Sequence, residues 1–309
     1  MLISIGGEQA TVILGADQVT SPPFNAPNYA ITPTPDGSGS VVHPSVLDFG
    51  GQWNGHRYWM GVTPFLGGND SLENPCILVS SDGFTWTVPA GLTNPIDPTP
   101  TVGFNSDTDL TYDPDTDRLI LIWRATADGA PEGERWETVY ASTSTNGYTW
   151  SAPATLIDLQ NQAGNLSLLS PSLVRVGASD WRMFCKSGVR TASSPLGSWS
   201  GETAYTGSLS PGSLWHLDVN YTGGEFWMVA NARDPWSLIA GVSANGVAWT
   251  FGTPFLQAEA ASWDRDYPYR ATMTEHPNGR DMQLWYSAVG PSSYRVGFTR
   301  VPRSLWAAL

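Results

Sequence analysis

The 309-residue sequence predicts an all-β fold, a five-bladed β-propeller with four-stranded antiparallel blades, and two observations carry this prediction. Gly, Pro and Trp are abundant, with 32, 24 and 15 residues, whereas only 14% of the residues are charged. Such a composition favours short strands and tight turns over long surface helices. A three-part strand unit also recurs five times after residue 40. Because such repeats bury their apolar faces against their neighbours, a closed ring is expected; a β-sandwich pair or a solenoid is the alternative.

Each unit begins with an inner strand that combines polar and apolar residues, and an aromatic second strand follows 11 to 16 residues later. The five inner strands start near His43, Asp107, Ser170, His216 and Tyr269. The second strands contain Trp59, Trp123, Phe184, Trp227 and Trp285. Turn residues such as Asn54-Gly55 and Asn278-Gly279 join the two strands of a pair. The predicted blades are residues 41–98, 99–160, 161–208, 209–258 and 259–309.

Residues 1–40 are predicted to form an N-terminal arm that also supplies a ring-closing strand. A propeller must remove the exposed edge of its last sheet. We expect either residues 10–14 or Val41-Val42 to complete that sheet. The Pro- and Gly-containing residues 15–40 are expected to run over the surface as an extended segment.

A turn of the sequence Asp82-Gly83-Phe84-Thr85-Trp86 resembles the Asp-box of sialidases, and related turns lie at Asn146-Gly147 and Asn245-Gly246. A sialidase also needs a cluster of arginines and usually six blades. Only Arg270 lies at the start of an inner strand. We therefore interpret these stretches as hairpin turns, far from any chemistry.

Charge and hydropathy exclude several classes of partner. The formal net charge is −13, and the 15 basic residues are scattered, which argues against nucleic acid and acidic membrane surfaces. Neither an apolar run of membrane-spanning length nor a secretion signal is found, so no membrane insertion is expected. Cys76 and Cys185 lie in apolar runs and are predicted to be buried free thiols.

The starts of the inner strands converge at one mouth of the central channel, where the sequence places many polar residues. Asp109, Asp218 and Glu73 are the candidate catalytic residues, since hydrolysis of a glycosidic bond needs one protonated and one ionised carboxyl. The candidate substrate-binding residues are His43, Asp107, His216, Arg270, Tyr269 and Ser172. The alternative is that each aspartate or serine has a structural role, in which its side chain caps a turn or hydrogen-bonds a backbone amide.

A metal site formed by His43, His216 and an aspartate is a further alternative. Histidine also hydrogen-bonds sugar hydroxyls and orients carboxylates without an ion. The sequence contains no HExxH or CxxC spacing. We therefore expect neither a metal nor a cofactor.

Over residues 41–300 the pattern resembles the five-bladed propellers of glycoside hydrolase family 43, the arabinanase and xylosidase type. The resemblance implies an aspartate on the first inner strand that acts as the catalytic base and an aspartate on the second that tunes pKa and orientation. It also implies a glutamate on the third inner strand that acts as the catalytic acid. Asp107 or Asp109 matches the second position. His43-Pro44 and Ser170-Pro171 replace the other two, so either Glu73 and Asp218 have taken over or the mouth only binds sugar. Whether the chain is an enzyme is left open.

A second resemblance is to minor tail or fibre-associated propeller proteins of bacteriophages. It covers the stretches Trp53–Met60, Glu73–Pro75, Ser81–Gly83 and Gly91–Ile96. The resemblance implies a virion protein, synthesised in the host cytoplasm without a signal peptide, that binds a cell-surface glycan and contacts other tail proteins through its arm. The alternatives are a glycoside hydrolase acting on arabinose- or galactose-type polysaccharide, and a purely structural virion component.

Overall fold

The computed structural model describes residues 24–128, 135–159, 167–207, 214–233, 235–291 and 293–309. Their strands form five separate sheets, and the strand order within each runs outward from an inner strand. Apart from one short parallel pairing, all the ladders are antiparallel. The predicted all-β five-bladed propeller is thus confirmed. Within these ranges, no helix is long and apolar enough to cross a membrane.

The blades follow one another along the chain. The first contains β1 (Val41–Trp53), β2 (His56–Pro64) and β3 (Cys76–Ser80). The second contains β4 (Phe104–Asp113), β5 (Arg118–Asp128), β6 (Arg135–Ser144) and β7 (Ala154–Leu159). The third contains β8 (Ser172–Gly177), β9 (Asp180–Cys185), β10 (Gly188–Ala192) and β11 (Thr203–Ala204). The fourth contains β12 (Thr206–Gly207), β13 (Leu214–Thr222), β14 (Glu225–Ala232), β15 (Ser237–Ser243) and β16 (Ala248–Gln257). The fifth contains β17 (Tyr267–Glu275), β18 (Asp281–Val289) and β19 (Tyr294–Pro302), followed by the helical turn α1 (Ser304–Ala307).

Strand number differs from the predicted four in three blades. The described parts of the first and fifth sheets have three strands each, and the fourth has five. In the first blade, the outer strand is reduced to one bridge between Val79 and Thr87. Thr206 and Gly207, which the sequence assigned to the third blade, pair in parallel with β16 of the fourth.

Residues 29–31 join the last blade to the first. Tyr29 bridges Gly297 on the outer edge of β19, and the Ala30 N–H donates to Val296 O at 2.7 Å. Ile31 then pairs in parallel with Thr85 of the first blade. Val41 and Val42, one of the two predicted ring-closing segments, pair instead with β2 inside the first blade. The other, residues 10–14, lies outside the described residues.

The hydrophobic core consists of five clusters, each in the wedge between two adjacent blades. The turn glycines help to seat these wedges. A Cβ on Gly147 of the second blade would lie 2.0 Å from Trp59 Cη2 of the first, so only glycine fits there. The Asp82 carboxylate accepts the Phe84 and Thr85 N–H groups at 2.8 and 2.7 Å, as expected of a structural turn. Both cysteines are buried and free, as predicted.

Candidate functional site

Two rings of polar side chains line the channel, because each blade contributes two residues that are two positions apart at the start of its inner strand, Ser170 lying just before β8. Side chains at i and i+2 of a strand share a face. The first ring consists of His43, Asp107, Ser170, His216 and Arg270. The second ring consists of Ser45, Asp109, Ser172, Asp218 and Thr272. All ten side chains belong to buried residues.

The first ring lies on irregular backbone. His43, Asp107 and Ser170 have φ values of 55°, 52° and 58°, in the left-handed region that non-glycine residues rarely adopt. The register of β1 with β2 and of β4 with β5 shifts at the first two of these positions. Strained backbone of this kind is concentrated at functional sites in proteins.

In the second ring, Asp109 joins the first three blades. Its Oδ1 accepts the Ser45 hydroxyl at 3.0 Å, and its Oδ2 accepts the Leu173 N–H at 2.8 Å. Ser45 Oγ in turn accepts the Leu110 N–H at 2.9 Å. Both carboxylate oxygens of Asp109 therefore have partners from neighbouring blades.

Asp218 likewise joins the third, fourth and fifth blades. It accepts the Ser172 hydroxyl at 3.3 Å and the Thr272 hydroxyl at 3.1 Å. Thr272 Oγ1 accepts the Val46 N–H of the first blade at 3.4 Å, which closes the circle. The second ring is thus a continuous belt of hydrogen bonds between blades.

In the first ring, two histidines converge on one carboxylate oxygen. His43 Nε2 lies 3.4 Å and His216 Nδ1 lies 3.2 Å from Asp107 Oδ1. One ligand atom from each of the three residues lies within 4.8 Å of the others. Ligands of one divalent ion at about 2.0–2.2 Å are separated by roughly 3 Å, so this spacing fits a shared cation.

None of these three atoms makes a well-aligned hydrogen bond to a described residue, although His216 Nδ1 and Asp107 Oδ1 are within hydrogen-bonding distance of each other. Buried polar atoms without partners are rare and call for an explanation such as an ion. Ligation through His43 Nε2 requires the proton to be on Nδ1, from which it is donated to Thr63 Oγ1 at 3.0 Å. The Asp107 N–H, 3.2 Å from Nδ1, favours the other tautomer when no cation is bound.

The second oxygen of Asp107 is fixed by an ion-pair chain. Arg124 Nη1 donates to Asp107 Oδ2 at 3.0 Å, and Arg124 Nε donates to Glu137 Oε1 at 2.8 Å. Glu137 Oε2 accepts the Leu168 N–H at 3.2 Å. All three charged groups are buried. The chain therefore leaves Asp107 Oδ1 as the oxygen that faces the histidines.

The guanidinium of Arg270, a first-ring residue, reaches toward the second ring. Its Nη1 is 4.0 Å from Asp107 Oδ1, farther than either histidine, and its Nη2 is 3.7 Å from Asp109 Oδ1. Nη2 also donates to Pro171 O at 3.1 Å. The fully buried guanidinium thus separates the two aspartates.

In the first-ring site, burial favours a higher pKa for the carboxyl groups and a lower pKa for the histidines. Burial alone would raise the pKa of Asp107, but His43, His216 and Arg124 outweigh it and hold this pKa well below its ordinary value. Burial lowers the pKa of both histidines although the charge of Asp107 opposes this, so the neutral form that can act as a ligand is favoured. Burial, and then the charge of Asp107, raise the pKa of Glu73 well above its ordinary value.

In the second ring, burial raises the pKa of Asp109. Burial and the charge of Asp109 raise the pKa of Asp218 to about 7. The two aspartates thus oppose each other's ionisation, and the neutral form of one is favoured.

A cavity of about 210 Å³ opens onto the first ring. His43, Asp107 and His216 line it together with Glu73, whose Oε2 has no hydrogen-bond partner and lies 3.7 Å from His43 Nδ1. Tyr269 forms one wall, with its ring centroid 4.3 Å from that of His216. The cavity is therefore polar at its base and aromatic at its side.

The structure separates the residues that the sequence grouped at one mouth. Glu73, His43, Asp107, His216 and Tyr269 line this cavity. Asp109, Ser172 and Asp218 line a different cavity, of about 200 Å³, on the second ring. Their catalytic or substrate-binding role stays a prediction, while their observed contacts are those of the inter-blade belt.

Sequence reasoning missed Arg124, Glu137 and Trp215. Arg124 interrupts the apolar run of β5, and a charged residue in a strand that is otherwise buried was the available signal. Glu137 occupies a similar place in β6. Trp215 lines the cavity and directly precedes His216.

Comparisons with known proteins give one sequence relative and several structural ones. No protein-family model matches the chain. An A type blood N-acetyl-α-D-galactosamine deacetylase from Flavonifractor plautii is 35% identical over 152 residues, 47% of this chain and 19% of that protein. The matched part is therefore a small fraction of that relative.

Among solved structures, an N-acetylgalactosamine deacetylase from F. plautii, in complex with blood group B trisaccharide, has a TM-score of 0.80 at 23% identity and covers 91% of this chain and 95% of that one. A family 43 endo-arabinanase from Bacillus licheniformis has a TM-score of 0.55 at 11% identity, covering 90% and 99%. The chain is thus a five-bladed propeller with the fold of these hydrolases, and it is related in sequence to the deacetylase.

Proposed function

We propose that this chain is a carbohydrate-active hydrolase that removes the acetyl group from an N-acetylated amino sugar with the help of a divalent cation. The observation that carries the proposal is the convergence of three ligand atoms without a well-aligned hydrogen bond, His43 Nε2, Asp107 Oδ1 and His216 Nδ1, at the base of a cavity. The proposal replaces the expectation from sequence that no metal is held. Two imidazoles and one carboxylate suit Zn²⁺, Mn²⁺ or Fe²⁺ better than Ca²⁺.

A divalent cation at this site would polarise the acetamido carbonyl and lower the pKa of a water molecule. The protein's own contribution is to orient the ligands. Arg124 holds Asp107 by Oδ2, and Thr63 Oγ1 would accept the Nδ1 proton of His43 in the tautomer that leaves Nε2 free for the cation. The two histidines are kept neutral by burial, which preserves their lone pairs.

Glu73 is the group placed to move the proton of the reaction. Hydrolysis of the amide adds water to the carbonyl carbon and breaks the C–N bond, which gives acetate and a free amine. The charge of a bound cation would lower the pKa of Glu73 from its raised value, so that its carboxylate would accept a proton from the water at Oε2 and return it to the leaving nitrogen. Its side chain lies beside His43 at the cavity wall. Tyr269 offers an aromatic surface beside the sugar ring.

The test is release of acetate from an α-linked N-acetylgalactosaminide, the sugar named in the relative from F. plautii. The purified protein is stripped with a chelator and reconstituted separately with Zn²⁺, Mn²⁺ and Ca²⁺. We expect acetate release with Zn²⁺ or Mn²⁺ and none after stripping. His216→Ala and Asp107→Asn should abolish both the activity and the binding of the cation.

Ser193→Ala is the control, because Ser193 is exposed on the third blade, away from the first ring. The proposal fails if acetate release is unaffected by stripping, or if no N-acetylated glycan is hydrolysed although the cation binds with the expected dependence on His216. Tight binding of the cation without hydrolysis would indicate a site with a different reaction.

Hydrolysis of a glycosidic bond is the second candidate. The opposed pKa shifts of Glu73 and Asp107 at one cavity are the pattern of an acid paired with an ionised carboxylate, and the fold is shared with family 43 hydrolases. Arabinose- or galactose-type polysaccharide is the substrate class to test. Reducing sugar released without acetate would favour this reaction, and acetate without reducing sugar would exclude it for that substrate.

The virion location, the contacts of an N-terminal arm with other tail proteins and the binding of a host-surface glycan stay predictions. A purely structural virion role likewise stays a prediction. The unpartnered atoms and the cavity favour a chemical role over a filled channel. Immunogold electron microscopy of phage particles carrying the tagged protein would test the location, and unlabelled tails would contradict it.

A further inference from the structure

The rim of the first-ring cavity carries a pair of cations that no described carboxylate neutralises. The side chains of Lys186, the only lysine of the chain, and of Arg233 make no ion pair with any described residue and donate no hydrogen bond to one. Most other arginines here do pair with an acidic side chain, as Arg175, Arg182 and Arg190 do. In a chain with a formal charge of −13, an unpaired cation pair beside the cavity is a local exception.

Both cations are held by the same cavity residue. Arg233 Cζ lies 3.6 Å from the ring centroid of Trp215, and Lys186 Nζ lies 4.6 Å from it. Trp215 lines the cavity and donates from Nε1 to the Tyr269 hydroxyl at 3.3 Å. The positive charges are therefore fixed next to the place proposed for the acetamido sugar.

Arg233 is exposed, but its guanidinium packs against two aromatic rings. Its guanidinium lies 3.6 Å from the centroid of Trp215 and 4.8 Å from that of Trp236, and Trp236 stacks on Tyr267 at 5.1 Å. Stacking occupies the faces of the planar group and leaves its N–H edge for a ligand. Because the side chain is already restrained, binding an anion costs less conformational entropy than it would at a free surface arginine.

We propose that Lys186 and Arg233 form a subsite for a negatively charged group, a carboxylate or a sulfate, on the sugar next to the N-acetylated one. Arginine binds either group through paired N–H donors, and the lysine adds a second charge. The face of Trp215 under Arg233 is not free to stack on a sugar, so the pair offers charge rather than apolar contact. This inference rests on the proposed function, because it takes the cavity as the place of the acetamido sugar.

The experiment compares three forms of one disaccharide of glucuronate and N-acetylgalactosamine: the free acid, its methyl ester, and the methyl ester carrying a sulfate. Calorimetry without added cation gives the affinities of the wild-type protein. We expect the free acid, the sulfated ester or both to bind about tenfold more tightly than the plain ester, with a preference that weakens as salt is raised. Which anion gains shows whether the subsite takes carboxylate or sulfate.

Arg233→Gln and Lys186→Gln should each remove most of this preference while leaving the affinity for the plain ester unchanged. Arg300→Gln is the matched control, since it removes one exposed positive charge from β19, outside the cavity lining. Equal affinity for all three forms, or binding of none, overturns the inference. Acetate release from the neutral ester tests the proposed function separately, so a charge preference without acetate would overturn only that function.

Discussion

The two polar rings differ in how completely their hydrogen bonds are satisfied, although they lie two residues apart on the same five strands. Asp109 and Asp218 of the second ring have partners for both carboxylate oxygens. Asp107 of the first ring has a well-aligned partner for Oδ2 only, and neither ring nitrogen of His216 has one.

The difference shows that this fold keeps polar groups that lower its stability in the first ring and not in the second. A buried polar group without a partner lowers the free energy of unfolding by about 1–3 kcal/mol, and a non-glycine residue in the left-handed region adds backbone strain. Both features occur in the first ring and neither marks the aspartates of the second. Satisfied polar groups hold the blades together, and unsatisfied ones at a cavity are kept for a ligand.

The largest expected effect is on cation affinity, and a pair of substitutions, one in each ring, tests whether the two rings have different roles. His216→Gln should weaken cation binding more than about 100-fold, beyond the loss usual for groups that only support ligands. It should change the free energy of unfolding little, because Nε2 has no hydrogen-bond partner among the described residues and the glutamine amide can replace the 3.2 Å contact of Nδ1 with Asp107 Oδ1. Asp109→Asn should retain cation binding but lower the free energy of unfolding by about 1–3 kcal/mol. The NH2 group of the asparagine would face either the Leu173 N–H or the Ser45 hydroxyl, and the hydrogen bond that this group donates to Asp109 would be lost. Calorimetric titration and urea denaturation measure the two quantities.

The reverse result would break the comparison. Loss of hydrolysis in Asp109→Asn at unchanged stability would make the second ring catalytic, as the glycoside hydrolase hypothesis requires. A cation affinity of His216→Gln equal to that of the wild type would remove the ligand role from the first ring.

A smaller effect is expected from Glu137, which lines neither cavity but binds Arg124 in the wall of the first-ring cavity. Glu137→Gln takes the charged partner from Arg124 and loosens its hold on Asp107 Oδ2. Cation affinity should fall about 10- to 100-fold, as for other outer-shell groups. Glu202→Gln is the control, because Glu202 pairs with Arg190 on the third blade. Competition with a chelating dye gives the affinities, and equal values for the two variants would contradict the role of Glu137.

The smallest effect is expected in the second ring, from Ser172. Ser172→Ala removes its bonds to Asp218 and to the Val219 N–H. We expect a loss of about 1–2 kcal/mol in unfolding free energy and no change in cation affinity. Thermal and urea unfolding are the measurements. A fall in affinity would show that the belt and the ligand site are coupled.

The blade count followed from repetition that a single sequence displays. Turn residues and aromatic second strands mark each unit, so the five inner strands and their convergence were predictable. The reduced outer strands of the first and last blades were not, because they depend on pairing by residues such as Tyr29 that are distant in sequence.

The candidate site was predictable as a set of residues but not as an arrangement. Sequence places His43 and Ser45, or Asp107 and Asp109, equally well on the channel face. Their division into two rings depends on side-chain partners from other blades, and on strand irregularities at His43 and Asp107 that no local pattern announces. Arg124 and Glu137 act through Asp107 from the second and third strands of their blade, where only the anomaly of a buried charge points to them.

The seam at residues 29–31 sets an order of events during synthesis. Ala30 is made early, yet its partner Val296 emerges only after nearly all of the propeller has been translated. Contacts between such distant residues form late, because the intervening chain must first be organised. The early segment can pair with Thr85 once the first blade is made, but the edge of the last blade is covered only after that blade has been translated.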